Sequence, residues 1–98
     1  MIKIERFRQS IKTICRELSL QRLEVVGSAA RNDFNGDSDV DVLVSFRGDE
    51  RLFERYFDLK ERLEELFERP VDVIEERAIK NPYFRRMIEK DRIALYGT

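Results

Sequence analysis

The segment Asp39-Val40-Asp41-Val42-Leu43-Val44-Ser45-Phe46 admits few folds. In an extended strand, residues i and i+2 share a face, with Cα atoms ~6.6–7 Å apart. Val40, Val42, Val44 and Phe46 therefore lie on one face, and Asp39 and Asp41 on the other. A strand that buries its valines holds two carboxylates side by side at its start. Like charges at that spacing disfavour joint ionisation unless a cation lies between them. A divalent ion with oxygen ligands, Mg²⁺ foremost, resolves the conflict. The wet face of an antiparallel sheet carries such pairs too, so the aspartates alone leave both readings open.

The upstream residues narrow the choice. A short apolar run, Leu23 to Val26, turns at Gly27-Ser28. Gly27 permits a tight turn and close approach of backbone to a ligand. Ser28 offers a hydroxyl at the start of a short helix (Ala29, Ala30, Arg31), where successive amides can meet a phosphate. Arg31 adds a positive charge one turn along, to neutralise phosphate or to form a surface ion pair. A phosphate-holding turn and a cation-holding carboxylate pair thus fall between Gly27 and Asp41. That combination is what a nucleotide–Mg²⁺ site requires.

Gly27-Ser28, ten residues, then Asp39-Val40-Asp41 resembles the G-S-x10-D-x-D signature of the DNA polymerase beta-type nucleotidyltransferase superfamily. The fuller string G-S-A-A-R…D-S-D-V-D-V-L-V is similar to its small bacterial and archaeal branch, the minimal nucleotidyltransferases. A later Val71-Asp72-Val73-Ile74 sits where that family carries a third carboxylate. The likeness runs from about Leu23 to Gly97, with Asn32 where many members have glycine. It implies catalytic and metal-ligating roles for Asp39, Asp41 and Asp72, with two Mg²⁺ ions and ATP as substrate. It also implies triphosphate contacts for Gly27, Ser28 and Arg31. Minimal nucleotidyltransferases are commonly antitoxins that transfer AMP from ATP to a tyrosine hydroxyl of a HEPN-type ribonuclease toxin. The resemblance therefore implies a protein adenylyltransferase antitoxin in a hetero-oligomer with such a toxin. Two alternatives stay open: a non-catalytic module that neutralises by occlusion, and a small-molecule transferase of the aminoglycoside type.

Composition is consistent with one domain, residues 1–98, and limits other functions. Apolar residues make up 42% and charged residues 40%, with 19 basic against 20 acidic side chains. A dedicated nucleic-acid binder usually shows a basic excess, so no direct nucleic-acid contact is expected. No apolar run approaches the ~18 residues of a membrane helix, and a cytoplasmic placement is expected. The chain has no histidine, which removes imidazole from any acid–base or metal role. Its one cysteine, Cys15, lies on a helix face and reads as a buried structural thiol.

The predicted architecture is α/β (α+β): a small mixed sheet of about three to four strands flanked by helices. Residues 4–19 form an amphipathic helix, with Ile4, Phe7, Ile11, Ile14 or Cys15, and Leu18 on its inner side. Strands follow at 21–26 and 37–46, joined by a connection too short for a parallel crossover. Asp49 is placed to cap a helix at 51–67, whose stripe is Leu52, Tyr56, Leu59, Leu63 and Leu66. Phe53, Phe57 and Phe67 widen that stripe. A broad core face is the favoured reading, and a partner surface the alternative. Val71–Ile74 forms a third strand. Beside the second it brings Asp72 to the first two carboxylates; at an edge, Asp72 is a charge that blocks pairing. Asn81-Pro82 starts a helix to about Lys90, and 93–97 forms a last strand. Little in so short a chain selects an acceptor, so that selection is expected to come from a partner.

Overall fold

The computed structural model describes residues 4–27, 30 and 39–97. A 3-10 turn, Ile4–Phe7, leads into helix α1 (Arg8–Glu17), and strand β1 covers Leu20–Val26. Strand β2 (Val40–Phe46) is followed by helix α2 (Leu52–Phe67) and strand β3 (Val71–Glu75). A second 3-10 turn, Glu76–Ala78, precedes helix α3 (Pro82–Lys90) and strand β4 (Arg92–Tyr96). The four strands form one mixed sheet in the order β3-β2-β1-β4. β1 runs antiparallel to β2 and to β4, whereas β2 and β3 are parallel. The short connection after β1 gives the antiparallel pair; the long one, carrying α2, gives the parallel pair.

The alternation in β2 decides which face is covered. Val40, Val42 and Val44 are fully buried, with Phe46 beside them, against Ile11 and Cys15 of α1 and Leu59 and Leu63 of α2. Burying each leucine of that set contributes about 1.5–3 kcal/mol. Phe7 meets Phe67 edge-on, 5.2 Å between ring centroids, and joins the start of α1 to the end of α2. Cys15 is fully buried, which pushes its thiol up to about 12. It is a core residue, as the helical spacing predicts. The opposite face carries a smaller cluster of Val26, Leu43 and Ile88 with Ile74 and Ile79, so α3 covers only part of it.

Three expectations need correction. The broad core reading of α2 fails at Phe53 and Phe57, which are 76% and 49% exposed, while Phe67 is buried. α2 lies along β3, the edge strand of the sheet, and its Phe53 and Phe57 flank is exposed. Asp49 does not cap α2: its carboxylate accepts from Arg77, and the left-handed Arg51 (φ +52) occupies the cap position. The first helix is shorter than its apolar period, its opening turn being 3-10. Asn81 does act as predicted, its side chain accepting from the Tyr83 and Phe84 amides ahead of Pro82. Among the described residues no helix is long and apolar enough to cross a membrane.

Candidate functional site

The register of the sheet assembles the site. Val26 of β1 stands opposite Asp41 of β2, and Asp41 stands opposite Asp72 of β3. Neighbouring strands lie ~4.8 Å apart, and in-register residues share a face, so the two carboxylates are adjacent on the face away from α1 and α2. Asp39 is on that face just ahead of β2, and is exposed, as is Asp72. The strand starts are tied together: the Val40 amide donates to the Pro70 carbonyl at 3.0 Å. β3 is an edge strand, so Asp72 is both an edge charge and a neighbour of Asp41.

Gly27 brings a turn of backbone to the same place. Its φ of +71° is a conformation that side chains with a Cβ rarely adopt. A Cβ built there would stand 3.1 Å from Oδ2 of Asp41. The Ala30 amide donates to the Gly27 carbonyl at 3.1 Å and closes the turn. Ser28 and Arg31, the other two residues of the expected phosphate turn, lie outside the described residues.

The electrostatics of the described residues are dominated by like charge. Burial pushes the Asp41 carboxyl above its ordinary value, and the negative charges of Asp72 and then Asp39 push it further. Among the described residues, no lysine or arginine forms an ion pair with any of the three. Elsewhere on this face charges are neutralised, as in the pairs Arg22–Glu76 and Arg92–Glu24. Among the described residues no three acidic, cysteine or histidine side chains converge into a finished metal cage. Such a cage is not what Mg²⁺ uses: it takes one or two carboxylates and completes its shell with water and substrate phosphates. An all-oxygen, mutually repelling donor set beside a backbone turn fits that ion.

Sequence reasoning missed the groups that hold β3 in place. The Val71 amide donates to Glu64 at 3.0 Å, and Lys60 Nζ donates to both Glu64 and the Val71 carbonyl. The hydrogen bond from Val71, and then Lys60, draws the Glu64 carboxyl below its usual range. Tyr56 donates its hydroxyl to the Val73 carbonyl at 3.1 Å. The residues on either side of Asp72 are thereby fixed from α2 while its own carboxylate is left open. The available signal was the Lys60–Glu64 spacing of four on the helix flank, which reads as surface charge when the strand beside it is not yet placed.

Comparison with known proteins agrees with this geometry. The family model described as a nucleotidyltransferase domain matches residues 8–95, and so takes in α1 as well as the motif. A Methanocaldococcus jannaschii protein, provisionally named a protein adenylyltransferase, is 34% identical over 86 residues. The match covers 88% of this chain and 87% of that one. A solved structure provisionally described as a minimal nucleotidyltransferase superposes with a TM-score of 0.77 at 31% identity, covering 92% of this chain and 90% of that one. A MNT antitoxin from a complex with tri-AMPylated Shewanella oneidensis HEPN toxin shares the fold at 17% identity. Its TM-score is 0.69, over 98% of this chain and 74% of that one. The chain belongs to the nucleotidyltransferase domain family, in its minimal branch.

Proposed function

We propose that the protein transfers AMP from ATP to a hydroxyl of a partner protein, a tyrosine of a HEPN-type toxin, and acts as its antitoxin in the cytoplasm. One observation carries the reading: Asp39, Asp41 and Asp72 gather beside the Gly27 turn without a cation partner among the described residues. The name of the Methanocaldococcus jannaschii relative and the AMPylated partner of the Shewanella oneidensis antitoxin support the choice of AMP and of a protein acceptor.

In the reaction, the acceptor oxygen attacks the α-phosphorus and an O–P bond forms. The bridging bond to the β-phosphate breaks, and pyrophosphate leaves with the electron pair. Asp39 and Asp41 would hold both of two Mg²⁺ ions, and Asp72 one of them. Bound there, the ions supply charge stabilisation to the entering and leaving oxygens of an in-line displacement. Asp72, on the edge strand of the sheet, would take the hydroxyl proton of the acceptor. Gly27 presents backbone to the β- and γ-phosphates, which a Cβ would keep at a distance. Ser28 and Arg31 are assigned to the same phosphates on their sequence positions.

Incubation with α-labelled ATP, Mg²⁺ and lysate of the source cell tests the reading, with Asp39→Asn/Asp41→Asn as control. Label on one small helical protein, absent with the variant, is the expected result. Label confined to small molecules would replace the protein acceptor with a small-molecule one. No label from any nucleotide, with a helical partner still co-purifying, would leave an occluding antitoxin.

A further inference from the structure

The exposed flank of α2 and the outer side of α3 border one open groove beside β3. Its volume is about 640 Å³, and its apolar lining comes from Tyr56, Val73, Ile74, Ala78, Ile79 and Phe84. On the α2 side the lining continues into an aromatic ridge. Tyr56 packs edge-on against Phe57, and Phe57 stands tilted against Phe53, with centroids 5.1 Å and 4.7 Å apart. On the α3 side Phe84 is 42% exposed, and Tyr83 and Met87 more so. No fold-level purpose accounts for this much apolar surface on so small a domain, and such patches mark interaction sites.

From these features we infer that the groove docks the protein acceptor, by seating one apolar side chain of an acidic helix whose tyrosine then reaches Asp72. This rests on the proposed transfer reaction and adds to it how the acceptor is held. Continuity with the site is the first argument. Ile74 in the groove lies two residues from Asp72 on the same strand and face, a separation of ~6.6 Å. Two helical residues four apart are separated by ~6 Å along the axis, so an anchor and a tyrosine at that spacing span groove and carboxylate together. Second, the edge of β3 does not suit an added strand. Main-chain pairing with an open sheet edge is the common alternative, but here the Val71 amide and carbonyl and the Val73 carbonyl are occupied by Glu64, Lys60 and Tyr56. The third is charge. Glu75 in the groove lining is paired with Arg77, whereas Lys80 beside it, Arg85 on the Ile79 carbonyl and Arg86 over Tyr83 have no carboxylate partner among the described residues. The occupant is therefore acidic.

Two synthetic helical peptides provide the test. Both are glutamate-rich with one tyrosine, and they differ only in leucine or serine four residues away. Fluorescence anisotropy measures binding to the full chain, and α-labelled ATP with Mg²⁺ reports transfer. The leucine peptide should bind at least ~10-fold tighter than the serine peptide. Phe84→Ser and Phe57→Ser, both at exposed positions that leave the core intact, should each erase most of that preference. Asp39→Asn/Asp41→Asn should retain it while losing the label. Equal affinity for the two peptides, or a preference untouched by Phe84→Ser, overturns the inference, as does a uridine decamer that binds the groove in place of the peptides. A preserved preference without any label supports the docking and removes only the transfer reading.

Discussion

The two ends of the sheet differ in their electrostatics. At one end β1 stops and β2 begins, and Asp39, Asp41 and Asp72 stand without a cation among the described residues. At the other, β1 begins and β2 stops, and Arg55 donates to the carbonyls of Leu18, Ser19, Arg47 and Glu50, with its guanidinium 4.9 Å from the Phe46 ring. That arginine caps α1, whose C-terminus runs into the left-handed Ser19 with no glycine to end it. A cleft of about 590 Å³ opens there, and most of its charges are paired, Arg62 with Glu17 and Asp58, Arg51 with Glu54, and Asp49 with Arg77, while Arg47 and Glu50 leave it lined by both signs. A large charged cleft is not by itself a site. The three aspartates, like charges with no cation partner among the described residues, are the better candidate, because a ligand has something left to neutralise.

Substitutions at the two ends should separate activity from stability. The largest effect is expected at the acidic end. Asp39→Asn/Asp41→Asn should lower transfer by ~10³-fold or more, the scale of losing charge stabilisation at a reacting centre, with no fall in melting temperature. Arg55→Met should do the reverse. Leaving its carbonyls without a donor costs about 2–3 kcal/mol, or roughly 10–20 °C in Tm for a domain of this size. Activity per folded molecule should persist. Gly27→Ala combines the two effects: about 1 kcal/mol of backbone strain, and a methyl group against Asp41 that should reduce transfer ~10–100-fold in a steady-state assay. Asp72→Asn has the smallest effect on folding, and its sign is diagnostic. Removing one like charge should raise the Tm of the ligand-free chain by ~1–3 °C, since screening leaves only a few tenths of a kcal/mol.

Acidity sharpens the same contrast. Because the Asp41 carboxyl is raised in the folded chain above its ordinary value of 3.8, folding disfavours its ionised form. The ligand-free protein should therefore gain stability from Asp41 as pH falls through the raised value, while cation binding is lost over the same fall. Glu64 behaves oppositely. Its value is lowered, so its contribution is present above the ordinary glutamate range and disappears as pH drops through the folded value. Calorimetry of Mg²⁺ binding and of unfolding across that range would distinguish the two groups.

Much of the site was legible because β2 reports its own geometry. Alternation alone put Val40, Val42 and Val44 in the core and the aspartates on the other face, and ten intervening residues implied the antiparallel return from β1. What the sequence could not show depends on residues that meet only after folding. The alignment of Asp72 with Asp41 needs the α2 crossover and the clamp of Lys60 and Glu64 on Val71. The exposure of Phe53 and Phe57 depends on what α2 packs against, whereas helical periodicity reports only how wide an apolar stripe is. Arg55 reads as one more helix-surface charge until the ends of α1 and β2 come together around it.

The central claim is that the unneutralised acidic end is a nucleotide–cation site. Isothermal titration of ATP into the protein, with and without Mg²⁺, tests it most directly when repeated on Asp39→Asn/Asp41→Asn. The account predicts binding that requires Mg²⁺ and vanishes in the variant while its fold is unchanged. ATP binding of equal strength without the cation, or in the variant, would contradict it and place the nucleotide elsewhere on the chain.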